Sequence, residues 1–177
     1  MRKAAGFTLI ELLITLTVAS VLVALAGPSF KTTIQNNRLV TQGNDFLGAL
    51  IYARSEAIEL NSTVTVCASS DGATCSGTNW ASGWVVGYAP SGGSNPVATV
   101  LRSHIAITGN NTLSSSLGAS LGFLSTGMLN GTTPGTFTLC DTRGKTYGRS
   151  LYLMLSGQAK LSTTAGLQVG NAAITGC

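Results

Sequence analysis

The first sixty residues carry two different apolar patterns, and both are helical. From Phe7 to Gly27 the chain is apolar or hydroxylic apart from one charge, Glu11. At about 1.5 Å per residue this run makes a helix about 31 Å long, enough to cross a hydrocarbon core of about 30 Å. Phe30, Ile34, Phe46, Leu47, Leu50, Ile51, Ala57 and Ile58 then recur at helical spacing, with Lys31, Gln35, Asn44, Asp45 and Glu56 between them. This predicts that the same helix continues as an amphipathic element to about Leu60, where Asn61-Ser62 ends it. Gly27-Pro28 interrupts the ladder: proline lacks the N–H and crowds the carbonyl four residues back, so a kink is expected there.

Beyond Asn61 the period becomes two. Alternating or β-rich runs at 63–67, 83–88, 97–101, 121–124, 136–140, 149–155 and 159–161 predict strands, with turns at 128–135 and 156–158. Residues 108–120 are rich in Thr, Asn, Ser and Gly and predict a loop. The expected fold class is α+β, a long N-terminal helix packed on an antiparallel, hairpin-rich β-sheet domain.

Composition places this domain outside the cytosol. Charged residues make up 9% of the chain, against roughly 25% for ordinary soluble domains. Arg2 and Lys3 before the apolar run put the N-terminus on the cytoplasmic side, so the β domain is exported. Four cysteines, at 67, 75, 140 and 177, form no C-x-x-C pair and imply disulfides. Three pairings are open to four cysteines. Cys67 and Cys75 flank the turn-like Ser69-Ser70-Asp71-Gly72 loop, easily closed, and Cys177 ties down a Gly/Asn/Ala tail through the remaining Cys140, which gives Cys67–Cys75 and Cys140–Cys177.

The chemistry of catalysis is missing from the pattern. A nucleophile–base pair needs His104, the one histidine, and its polar setting predicts an exposed side chain. Glu56 and Glu59 belong to a solvated helix face, and Asp141 with Arg143 to a turn ion pair. The expectation is no enzyme, no metal and no cofactor.

Gly6-Phe7-Thr8-Leu9-Ile10-Glu11-Leu12 resembles the class III signal of type IV pilins and type II secretion pseudopilins. The resemblance implies that a prepilin peptidase cuts after Gly6 and methylates Phe7. It also implies that Glu11 faces the terminal amine of a neighbouring subunit and that Pro28 marks the bend of pilin helices. A lone carboxylate costs about 2.5–3.5 kcal/mol at a membrane centre, and pairing with an ammonium offsets much of that. Arg54-Ser55-Glu56-Ala57, Val66-Cys67, the Trp84 strand, Cys140-Asp141-x-Arg143-Gly144 and Arg149 with Ser156-Gly157 are similar to the GspH/FimT/FimU group. The implied organisation is a leader at 1–6, a transmembrane half-helix at 7–27, an amphipathic half at 28–60, and a disulfide-pinned periplasmic domain at 61–177. The implied partners are the major pilin and other minor pilins through the N-terminal helix, the prepilin peptidase, the inner-membrane assembly platform and the membrane itself. The implied locations are the inner membrane and then the pilus at the cell surface.

Within this group the expected role is a minor pilin that helps prime, assemble or cap a type IV pilus. A pilus-tip DNA receptor for transformation is the alternative, and a type II secretion minor pseudopilin the third. The DNA reading rests on Arg143, Lys145, Arg149 and Lys160, gathered near Tyr147 in a half of the chain that is net basic from residue 90 on. FimT-type receptors carry a G-R-x-R stretch where this chain has Gly157-Gln158-Ala159-Lys160. One arginine is gone and the other is lysine, so the chain is closer to the FimU type, and only weak, salt-sensitive DNA binding is expected.

Overall fold

Thr8 starts the long helix. Its Oγ1 accepts a hydrogen bond of 3.3 Å from the Glu11 N–H, and Thr8-Leu9-Ile10-Glu11 has the spacing of a capping box. The computed structural model describes residues 6–89 and 96–177; leader residues Arg2 and Lys3 lie outside them. Helix α1 runs Leu9–Glu59. The chain divides into two compact units, residues 1–37 and 38–177, and α1 contributes to both.

In the first unit α1 is apolar and uncovered, with Leu9, Ile10 and Leu22 among its exposed side chains. It is long and apolar enough to cross a membrane. Its hydroxyls are consistent with a lipid environment, because Thr15, Thr17 and Ser20 donate to the carbonyls of Leu12, Ile14 and Thr17 at 2.8–2.9 Å. In lipid such a group has no water to fall back on. The helical assignment is unbroken across Pro28, the expected kink position; the proline ring lies outside the described side chains.

In the second unit Phe46, Leu50 and Ala57 of α1 are buried as expected, and the buried face departs from the expected one at Ile51 and Ile58. Leu39, Phe46, Ala49, Leu50, Ala53 and Ala57 are buried, while Ile51 and Ile58 are 56% and 50% exposed. Phe30 and Ile34, in the first unit, are exposed as well. Alanines at 49, 53 and 57 let the helix backbone approach a sheet closely, and that fit outweighs the bulk of the isoleucines. The helix stops in a Schellman arrangement: Ser62 N–H donates to Ala57 O at 3.2 Å and Asn61 N–H to Ile58 O at 3.3 Å. Asn61 takes the left-handed conformation, φ 46°, the usual C′ position of this motif.

Among the described residues eight strands follow: β1 Val64–Ala68, β2 Gly83–Tyr88, β3 Thr99–Ile105, β4 Thr112–Ser115, β5 Ser120–Phe123, β6 Gly135–Cys140, β7 Arg149–Leu153 and β8 Ala159–Leu161. They form two antiparallel four-stranded sheets, ordered β3-β2-β1-β5 and β4-β6-β7-β8, where the sequence predicts one. Strand β4, the edge of the second sheet, lies within the stretch expected to be a loop. Leu113 is its only large apolar residue, and Thr112, Ser114 and Ser115 gave no hydrophobic alternation. β3 also begins two residues later than expected and extends through His104.

One aromatic cluster joins helix and sheets. The Phe46 ring lies 5.0 Å from Trp84 of β2, 4.7 Å from Phe137 of β6 and 5.5 Å from Trp80 in the short 3-10 turn before β2. Trp80 donates its indole N–H to Gly118 O at 2.8 Å, so its polar edge is satisfied inside the core.

Candidate functional site

The residues expected to serve processing and assembly lie at and just before the start of α1. Gly6 and Phe7 precede the helix and are exposed. The cap uses the backbone N–H of Glu11, not its carboxylate, and that carboxylate sits on an exposed residue in an otherwise apolar turn. Thr8 is a residue the motif reading did not single out; the T-x-x-E spacing was the signal that would have found it.

Two disulfides pin the β domain, Cys67–Cys75 and Cys140–Cys177, with Cα separations of 5.5 and 5.7 Å. The loop between Cys67 and Cys75 is organised by Asp71. Its carboxylate accepts from Thr74 Oγ1 at 2.6 Å, from the Ala73 and Thr74 N–H groups at 2.9 Å, and from Ser69 Oγ at 2.8 Å. These bonds, Thr74 first, hold its pKa well below the usual carboxylate range. Cys67 packs with Val85 and Val97 on the face of the first sheet away from the helix. The loop thus caps a small apolar patch there.

The basic residues do not form one surface. Arg143 is held by Asp141, Nη2 to Oδ2 at 2.6 Å and Nε to Oδ2 at 2.9 Å, and its guanidinium lies 4.2 Å from the Tyr147 ring centre. Arg149 hydrogen-bonds the Thr163 carbonyl. In the β6-β7-β8 register Arg149 pairs with Leu139 and shares a face with buried Leu151. Lys160 pairs with Tyr152 on the opposite face. Period-two alternation alone separates them. Lys145 and Lys160 are exposed. The structure therefore brings Arg143 and Tyr147 together and leaves Arg149 and Lys160 on opposite sides of one sheet.

Burial pushes the Asp141 carboxyl up, but the hydrogen bonds from the Arg143 side chain and N–H outweigh it and the net shift is downward. For Asp71 and Asp141 a lowered native pKa means stability that is present above the unfolded-state value of about 3.9. That stability is lost as pH falls through the lower native values. Thermal melts of the full chain in detergent are expected to be flat from about pH 7 to 5 and to drop below about pH 4. Asp141→Asn and Asp71→Asn should each be less stable at neutral pH and show a shallower acid drop. Wild-type and variant profiles of equal slope would show that these carboxylates are not the source.

Arg54, in the segment similar to R-x-E-A, donates its Nε–H to Gly127 O at 2.9 Å. It packs beside Gly157, where a Cβ would overlap that same carbonyl oxygen; φ there is 77°, which glycine alone adopts without strain. The segment is therefore a structural clamp, tying the helix end to two turns. A second tie joins Gln42 to the loop before β4: Gln42 donates to Thr108 O at 2.9 Å and accepts from Asn111 Nδ2 at 2.6 Å. His104, expected to be exposed in a loop, is half-buried in β3 and stacks on Trp84, ring centres 4.0 Å apart at 6°. No group of three or more metal-ligating side chains occurs among the described residues.

Residues 42–159 match the family described as type II transport protein GspH, and residues 1–27 match the prokaryotic N-terminal methylation motif. The crystal structure of the Pseudomonas aeruginosa type IV minor pilin FimU is similar at 27% identity and a TM-score of 0.64, over 81% of this chain and 97% of that one. A second crystal form of FimU gives 27% and 0.61 over 78% and 99%. The Vibrio cholerae type 2 secretion minor pseudopilin EpsH shares the fold at 15% identity and 0.50, over 71% of this chain and 96% of its own. No curated relative matches the chain.

Proposed function

The chain belongs to the GspH family of the type IV pilin superfamily, a family of minor pilins and pseudopilins, and from that membership we propose that it is a type IV pilus minor pilin that helps prime, assemble or cap the fibre. The observation that carries this reading is the likeness to the minor pilin FimU, which extends over 97% of that chain. The start of α1 supplies what such a role needs: a cleavable Gly6-Phe7 junction, an uncovered apolar helix to hold the subunit in the inner membrane, and Glu11 to pair with a neighbour. The β domain lies in the periplasm before assembly. The partners are the major pilin, other minor pilins, the prepilin peptidase and the assembly platform.

Deleting the gene from a piliated host is expected to reduce surface pili sharply by electron microscopy, with type II secretion unchanged, and the wild-type gene should restore them. Lost secretion with normal piliation would replace this reading with the pseudopilin one, which the description of the matching family supports. Intact mass of the membrane form should begin at Phe7 and be one methyl group heavier than the unmodified chain. A chain starting at Gly27 or Pro28 would overturn the processing step. The DNA-receptor reading has the least support, because Arg143 is engaged by Asp141 and Arg149 and Lys160 lie on opposite faces.

A further inference from the structure

The second sheet turns Leu113, Phe137, Leu139, Leu151 and Leu153 into the core shared with α1. Strand alternation then puts Ser114 of β4, Thr136 and Thr138 of β6, and Ser150 and Tyr152 of β7 on its outer face. The C-terminal segment lies over part of that face and leaves Ser150 fully buried. Backbone bonds hold the segment, from Gly166 N–H to Gly148 O and from Ile174 N–H to Gly166 O, both at 2.9 Å. The Cys140–Cys177 bridge ties its end to β6. Between the segment and strands β4 and β6 runs an open groove of about 400 Å³, with Ser114, Thr136, Thr138, Gln168 and Thr175 in its walls and no charged side chain. Small-molecule sites have volumes of about 300–1,000 Å³.

We propose that this groove binds a neutral saccharide. Its polar groups are largely uncommitted. The side-chain hydroxyls of Thr136, Thr138 and Thr175 have no partner among the described residues. Ser114 Oγ reaches Thr138 O only at 3.4 Å, and Gln168 Nε2 reaches Ala173 O at the same distance. Each hydroxyl can donate and accept, and an amide side chain does both as well. A sugar ring presents the same kind of group around its rim, so donors and acceptors on the two sides can be matched by rotating hydroxyls.

Other ligand classes fit these walls less well. A phosphate or carboxylate would be desolvated against them without a counter-charge. An apolar ligand would cover hydroxyls and leave them unpaired, which costs more than the contact returns. The neighbouring row of the sheet favours a sugar too. Thr136 pairs with Tyr152, and Tyr152 with Lys160. Residues directly opposite on one face have Cβ atoms about 4.5–5.5 Å apart. The half-buried Tyr152 therefore stands beside Thr136, where its ring offers an apolar surface to the C–H face of a bound sugar. Lys160 stands one strand further out and does not line the groove. This reading goes beyond the pilus role and does not depend on it.

The test is a titration of the ¹⁵N-labelled full chain with cellobiose, lactose and N,N′-diacetylchitobiose, followed by amide shifts. The micelle must be of a zwitterionic detergent without sugar, because a maltoside headgroup would itself compete. At least one saccharide should shift the amides of Thr136, Thr138 and Gln168 saturably and leave β1 unmoved. The dissociation constant should be on the order of 1 mM, since each bond formed replaces one to water. Glycerol at the same hydroxyl concentration should not reproduce the shifts. Thr136→Val and Thr138→Val keep the side-chain shape and remove the hydroxyl, and each should weaken binding about three- to ten-fold. Ser103→Ala, on the other sheet, should bind as the wild type does. No saturable shift from any of the three saccharides well above that concentration overturns the proposal, as does an equal response to glycerol or unchanged affinity in both valine variants. Shifts along β4 with an extended Ser/Gly-rich peptide, and none with the saccharides, would replace the sugar with an added strand.

Discussion

Phe46→Ala is expected to remove about 3–5 kcal/mol of stability from the second unit, the usual cost of deleting a buried phenyl ring. The ring is 1% exposed and touches both sheets as well as the 3-10 turn. Three of its neighbours are aromatic, two of them edge-on at 76° and 81°. Such pairs contribute about 0.5–1.5 kcal/mol each beyond area burial. Against a typical domain stability of about 5–15 kcal/mol, the loss takes a large part of the margin. The measurement is denaturant unfolding of the full chain in detergent, with the midpoint lowered and the slope unchanged. Ile51→Ala is the control. It sits on the same helix and was expected from sequence to be core, yet it is more than half exposed, so its cost should stay within about 0.5 kcal/mol. Equal losses at both positions would mean that α1 presents a different face to the sheets.

That contrast locates the boundary of what the sequence reveals. Hydrophobic periodicity identified α1, its length and its stop at Asn61-Ser62, because these depend on local backbone chemistry. It found Phe46, Leu50 and Ala57 but misplaced Ile51 and Ile58, because a helix–sheet contact selects for closeness, and Ala49 and Ala53 carry little hydrophobic signal. β4 was invisible for a related reason. Its residues are polar, and it becomes a strand only because β6 offers it a ladder, Leu113 opposite Leu139. Among the candidate sites, the Gly6–Leu12 segment was legible as a contiguous motif, and Cys67–Cys75 as a short closed loop. The basic group was not. Arg143, Lys145, Arg149 and Lys160 are near in sequence, but whether they share a surface depends on strand parity and on Asp141, and both separate them. His104 was misplaced because the ring it stacks on, Trp84, is 20 positions away in the chain.

Glu11→Val and Glu11→Gln are both expected to leave the subunit inserted and folded while abolishing its co-purification with other pilins. Two explanations of this carboxylate compete, and the pair of variants separates them. In the first, Glu11 merely completes the local cap that Thr8 begins. Glutamine serves equally well at that position of a capping box, so Glu11→Gln would assemble normally and only Glu11→Val would show a defect. In the second, the carboxylate pairs with the terminal ammonium of a neighbouring subunit inside an apolar environment. Glutamine is close to isosteric but uncharged, and it then leaves an ammonium buried without its counter-charge. Breaking one side of a buried pair costs about 3–5 kcal/mol, a factor of a hundred or more in association. Insertion gains from either substitution, since a carboxylate is the more expensive group in lipid. The Thr8 Oγ1 bond to the Glu11 N–H uses only the backbone of Glu11 and is the same in both variants, so it leaves the assembly readout to separate the two explanations. Membrane fractionation should recover both variants at wild-type levels, and pull-down from cross-linked membranes should lose the partner pilins with both. Normal recovery of partners with Glu11→Gln would assign the residue to the cap and remove it from assembly.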